Sequence, residues 1–175
     1  MSKSLIRKPL FMTQAAVIAA AYIVLTYPFA SFAFGPIQFR LSEALTVLAA
    51  LTPAAIPGLT IGCLLTNAFF NPSPLGPIDV LFGSLATFLA AYATWLLAKQ
   101  MTKTWQQVIV LAPAVVFNAM IVGTYLPFLI PEVQASFAVI LSFMSTIALS
   151  EIVVVYLIGW PLLYGLKKTR MIRQP

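Results

Sequence analysis

The chain has 175 residues, 61% of them hydrophobic and 8% charged, with 10 basic against 4 acidic side chains, one cysteine and no histidine. A mean hydropathy of +0.99 excludes a water-soluble globular domain and requires a lipid environment. Without histidine, and with only Cys63, the chain cannot form an internal disulfide, ligate haem through histidine, build a His/Cys zinc site or run a Ser-His or Cys-His nucleophile.

The first apolar segment, Leu10 to Ser31, follows Lys3, Arg7 and Lys8 and superficially resembles a signal peptide. It runs about two dozen residues without a clear small-x-small cleavage site before more membrane segments, so it reads as a retained helix. It carries Ala15, Ala16, Ala19 and Ala20, which place two small-residue pairs four apart, Ala15/Ala19 and Ala16/Ala20. Small side chains let helix backbones approach closely in lipid, either inside one bundle or against another subunit.

The second and third segments, Leu41 to Leu51 and Pro57 to Phe69, are too short to cross alone without tilting, local thinning or protein cover. Arg40 and Glu43, three apart at the start of the second, are placed to share a helix face and to pair. Asn67 lies near the end of the third, and Cys63 within it reads as packing. The fourth segment, Pro77 to Ala98, opens on Asp79, where a carboxylate also suits the positive end of a helix dipole. The fifth, Val108 to Phe128, holds Asn118 mid-run. The sixth, Ser136 to Leu166, holds Glu151 well inside an apolar stretch. A charge there costs roughly 2.5 to 3.5 kcal/mol on insertion scales, so it has a partner or a job. Glu132 falls in a loop and reads as solvated.

Six crossings put both termini in the cytoplasm and gather nine of the ten cations there: Lys3, Arg7, Lys8, Lys99, Lys103, Lys167, Lys168, Arg170 and Arg173. The pI near 9.7 therefore reflects topology, and no nucleic-acid partner is expected. Only Arg40 is left outside. Reading 41–69 as a single crossing would set the first three cations against the other six, whereas a re-entrant hairpin would keep the same sidedness. The expected fold is an all-α membrane bundle of six helices, one domain over 1–175, with no solenoid repeat and no evident inverted repeat. The connections 32–40, 70–76 and 129–135 then lie outside, the middle one dense in turn formers.

Arg40, Glu43, Asn67 and Asp79 map to the outer end of this topology, with Asn118 and Glu151 nearer mid-depth. Buried amides often only join helices, but carboxylates and amides converging on an outward-open pocket would suit a small, flat, polar molecule. Phe39, Tyr92 or Tyr125 are available to stack on it. No G-x-x-x-x-G-K-[ST] phosphate loop occurs, so the chain itself is not expected to hydrolyse ATP or to be an enzyme.

The run from Gly35 to Leu48, GPIQFRLSEALTVL, with Pro53 to Asn67, PAAIPGLTIGCLLTN, and Asp79 to Thr87, DVLFGSLAT, resembles the QueT family. The resemblance covers nearly the whole length and the six-segment pattern; in the carboxyl-terminal half it rests on Glu151 and the general pattern. It implies a queuosine-precursor S component of an energy-coupling factor (ECF) transporter. Such a subunit binds substrate from outside the bacterial cell membrane, while a transmembrane coupling subunit (T component) and two cytoplasmic ATPases supply the energy. No cofactor is implied for this chain.

The resemblance further implies that an A-x-x-x-A pattern in the first helix docks on the coupling subunit, which Ala15/Ala19 or Ala16/Ala20 match. The implied substrate is a 7-deazaguanine such as preQ1 or queuine. Glu151 and Asp79 are expected to take its N–H edge and amine, Asn67 and Asn118 its remaining polar edge, and Arg40 and Glu43 to order the outer gate. An S component for riboflavin, thiamine or biotin would share the fold and partners. A small secondary transporter would instead need an ion route through Glu151 or Asp79, and a membrane-embedded enzyme a nucleophile cluster that the sequence lacks.

Overall fold

Hydrocarbon offers no hydrogen-bond partners, so each spanning segment must satisfy its own backbone, and all regular structure among the described residues is helical. The computed structural model describes residues 3–34, 37–71, 76–100, 103–130 and 132–168; Gly35, Pro36, the turn formers at 72–75, Arg170 and Arg173 lie outside the described residues. Helix α1 (Lys3–Thr26) gives way at Pro28 to a 3-10 turn, Tyr27–Phe29, and the one-turn α2 (Ala30–Ala33). A ten-residue 3-10 helix, Leu41–Ala50, precedes α3 (Ala55–Phe70) and α4 (Gly76–Gln100). After α5 (Gln107–Tyr125) comes α6 (Phe137–Ile152), capped by the Ser136 hydroxyl and continued through a π-helical stretch, Val153–Gly159, into α7 (Trp160–Lys168).

All six expected segments are helical, but they differ in reach. Lys8–Ala33, Pro77–Gln100, Gln107–Phe128 and Phe137–Lys168 are long and apolar enough to cross a membrane, whereas Leu41–Ala50 and Ala55–Phe70 are shorter apolar helices. The 3-10 geometry of Leu41–Ala50 rises about 2.0 Å per residue against 1.5 Å for an α-helix, so ten residues reach ~20 Å instead of ~15 Å. Protein covers this element: Ser42 through Ala49 are all buried.

Packing follows chain order, α1 on α3, α3 on α4, α4 on α5 and α5 on α6, with the 3-10 helix held centrally against α1, α4 and the π-helical stretch. Tyr22, Val47, Leu59, Leu111, Val155 and Leu163 form the heart of the main core. Large apolar side chains such as Met12, Val24, Leu81, Leu157 and Phe137 point outward, as a lipid-facing surface requires.

The small residues of α1 divide by face. Ala15 and Ala19 are buried where α3 approaches: a Cβ at Gly58 would lie 2.7 Å from the Ala15 carbonyl oxygen, and one at Gly62 would lie 2.7 Å from Tyr22 Cβ and 3.1 Å from the Ala19 carbonyl oxygen. That pair is occupied by α3 within the chain. Ala16 and Ala20 are exposed.

Candidate functional site

The six polar residues singled out from sequence are all buried, and they converge on the 3-10 helix and its neighbours as two linked groups. The first surrounds Asp79, in the first turn of α4 and fully buried. Arg40 forms a salt bridge to Asp79 Oδ2 at 3.3 Å, Asn71 Nδ2 donates to the same oxygen at 2.8 Å, and the Tyr125 hydroxyl donates to Oδ1. Asn67 Nδ2 donates to the Asp79 backbone carbonyl at 2.9 Å. Gly83, one turn along α4, makes room for this: a Cβ there would sit 2.6 Å from Asn67 Nδ2 and 3.3 Å from Asp79 Oδ1.

Arg40 does not pair with Glu43. It occupies the residue before the 3-10 helix, in extended backbone (φ −105°, ψ 99°), so the i,i+3 rule for residues within one helix does not apply to it. Its Nε donates to the Ala33 carbonyl at 3.2 Å, and its guanidinium lies 5.3 Å from the centroid of the Phe34 ring, within cation–π range. Burial by itself would loosen the proton of Arg40, but the Asp79 carboxylate together with Cys63, Tyr22 and Tyr125 outweighs it and holds the guanidinium above its ordinary pKa.

The second group centres on Glu43 and Glu151. Glu43 Oε1 accepts from the Tyr22 hydroxyl at 2.6 Å and from Thr87 Oγ1 at 3.2 Å, linking α1 and α4 to the 3-10 helix. Glu151 Oε1 accepts from Asn118 Nδ2 at 3.1 Å, joining α6 to α5, and Glu151 lies within electrostatic reach of both Glu43 and Arg40. Ser150 Oγ donates to the Ile37 carbonyl at 2.9 Å and ties the segment leading into the 3-10 helix to α6. Glu43 Oε2, Glu151 Oε2, Asn67 Oδ1 and Gln38 Nε2 are buried without a hydrogen-bond partner among the described residues. Unfilled polar groups at this depth are costly unless something occupies them.

Of the aromatic candidates, Tyr125 enters the cluster through its hydroxyl rather than by offering a face. Phe39 is half-buried, and Tyr92 is exposed and stacks on Phe88 with 6.1 Å between centroids. Sequence reasoning missed Tyr22, Gln38 and Thr87. Tyr22 and Thr87 are isolated hydroxyls inside apolar runs, and the depth argument applied to the carboxylates extends to them. Cys63 lies 3.8 Å from Arg40 Nη1 and 3.7 Å from Asn67 Nδ2, which makes it a polar contact as well as packing.

Residues 12–168 match the family described as QueT transporter, a span that takes in every residue of both groups. The chain belongs to the QueT transporter family. That is a family of transporters rather than of enzymes, and with four helices among the described residues long and apolar enough to cross a bilayer, the chain is a multi-pass membrane protein. A curated relative, the queuosine precursor transporter QueT of Lactococcus lactis subsp. cremoris (strain MG1363), is 37% identical over 76 residues, 42% of this chain and 43% of the relative. The match thus spans less than half the length of that relative. No solved structure is significantly similar to the chain.

Proposed function

We propose that the chain is the substrate-binding S component of an ECF-type importer and takes up a queuosine precursor, a 7-deazaguanine such as preQ1 or queuine, across the bacterial cell membrane. The observation that carries this reading is the set of buried, unfilled acceptors on Glu43, Glu151 and Asn67 inside a membrane bundle of the QueT family. A guanine-like edge presents adjacent N–H donors, which carboxylates accept as paired hydrogen bonds. The name of the Lactococcus relative supports the same substrate class.

In this reading Asn118 orients Glu151, and Arg40 with Asp79 orders the outer end of the pocket. Six crossings with both termini cytoplasmic put the Asp79 group towards the outside and Glu151 deeper. The coupling subunit and two cytoplasmic ATPases supply the energy, in keeping with the absence of a phosphate loop from the sequence. Ala16 and Ala20 are the small-residue pair left open to the coupling subunit.

Calorimetric titration of the detergent-purified chain with preQ1, queuine, guanine and riboflavin tests the substrate. Saturable binding of a deazaguanine and not of riboflavin is the expected result. Binding of riboflavin, thiamine or biotin in place of any deazaguanine would reassign the substrate. Uptake by the chain alone in liposomes, driven by an ion gradient with no ATPase present, would replace the importer reading with a secondary transporter that uses its buried carboxylates as an ion route.

A further inference from the structure

The charge of the buried cluster is unbalanced, and the imbalance bears on which ligand the proposed pocket prefers, an inference that rests on the precursor-binding reading. Among the described residues Arg40 is the one buried cation, and it is committed to Asp79. Asp79 has both oxygens engaged, Oδ2 by Arg40 and Asn71 and Oδ1 by Tyr125. Glu43 and Glu151 are met only by neutral donors, Tyr22 and Thr87 on the one and Asn118 on the other, and each keeps Oε2 unfilled. Two carboxylates at 0% and 3% exposure, within electrostatic reach of each other, lack a compensating positive charge of their own.

Gln38 adds an independent observation. Its Nε2 is a buried donor without a partner at 3% residue exposure. It belongs to the segment that Ser150 anchors to α6 one residue from Glu151, and its backbone is held in the left-handed region at φ 52°. A non-glycine residue stays there only when its surroundings fix it. The unfilled groups therefore ask for a molecule with N–H donors, a positive charge and a carbonyl acceptor.

We propose that Glu43 and Glu151 act together to select a heterocycle bearing a protonated amine, one carboxylate accepting the ring-edge N–H groups and the other the ammonium, while Gln38 donates to the ring carbonyl. Asp79, neutralised by Arg40, is a positioning residue that does not touch the ligand. Glu43 thereby takes the role that charge and depth in the sequence assign to Asp79.

The test compares two ligands with the same ring, 7-aminomethyl-7-deazaguanine, which is cationic, and 7-cyano-7-deazaguanine, which is neutral, by titration of the folded full chain. The cationic ligand is expected to bind about 10- to 100-fold more tightly, the scale of one charge-assisted hydrogen bond. Glu43→Gln or Glu151→Gln, whichever removes the ammonium partner, brings that ratio to within a few-fold of unity. Gln38→Ala weakens both ligands by a similar factor and leaves the ratio intact. Equal affinity of the wild-type chain for the two ligands would overturn the charge selection while sparing precursor binding. Failure of the folded chain to bind either would overturn both. The wild-type comparison needs no substitution, so a variant that does not fold leaves the inference testable.

Discussion

Arg40 and Asp79 lie 39 positions apart in the chain and meet at 3.3 Å with side chains 5% and 0% exposed. Removing one partner of such a pair strands the other as an unpaired buried charge, which costs about 3–5 kcal/mol, whereas replacing both with apolar residues of similar volume is often close to neutral. Asp79→Leu and Arg40→Met should therefore each lower the thermal midpoint of the purified protein markedly, and the double variant should recover most of the loss. A double variant as unstable as the sum of the two singles would deny the coupling. At this scale the sequence marked residues that the fold buries together, because a charge inside an apolar run is conspicuous. It pointed to the wrong partner for Arg40, because local spacing speaks only for residues inside one helix and Arg40 stands in extended backbone just before it.

Among the elements, the contact of α1 with α3 depends on glycine. Gly62→Ala would bring a Cβ to 2.7 Å from Tyr22 Cβ, where neither helix can yield without parting, and overpacking of this kind costs about 1–3 kcal/mol. Gly165→Ala in α7 meets nothing within 4 Å and should stabilise by about 0.5–1 kcal/mol through the helix preference for alanine. Thermal unfolding of the two variants side by side checks the opposite signs. Because Tyr22 also donates to Glu43, Gly62→Ala is further expected to weaken ligand binding, and Gly165→Ala is not. The alanine spacing of α1 was visible in the sequence. Its facing was not, since Ala15/Ala19 and Ala16/Ala20 are equivalent until α3 presents Gly58 and Gly62 to one of them.

For the whole molecule, orientation is the measurable quantity. The proposed topology puts Lys103 and Glu132, both exposed, on opposite sides of the membrane, and the native thiol of Cys63 is buried. A membrane-impermeant maleimide should label Glu132→Cys in intact cells and Lys103→Cys only after permeabilisation; the reverse pattern would invert the topology. The sequence by itself determined that the chain belongs in lipid, that it is helical, and where its long helices run, because an apolar backbone segment in hydrocarbon has to close its own hydrogen bonds. Tertiary structure alone decided that the short segment Leu41–Ala50 sits centrally as a 3-10 helix under protein cover. It also decided that Arg40 neutralises Asp79 while the second oxygens of Glu43 and Glu151 stay unfilled. Pairing among buried charges is settled by distances between helices remote in sequence, and at close range in a low dielectric those distances outweigh any local pattern.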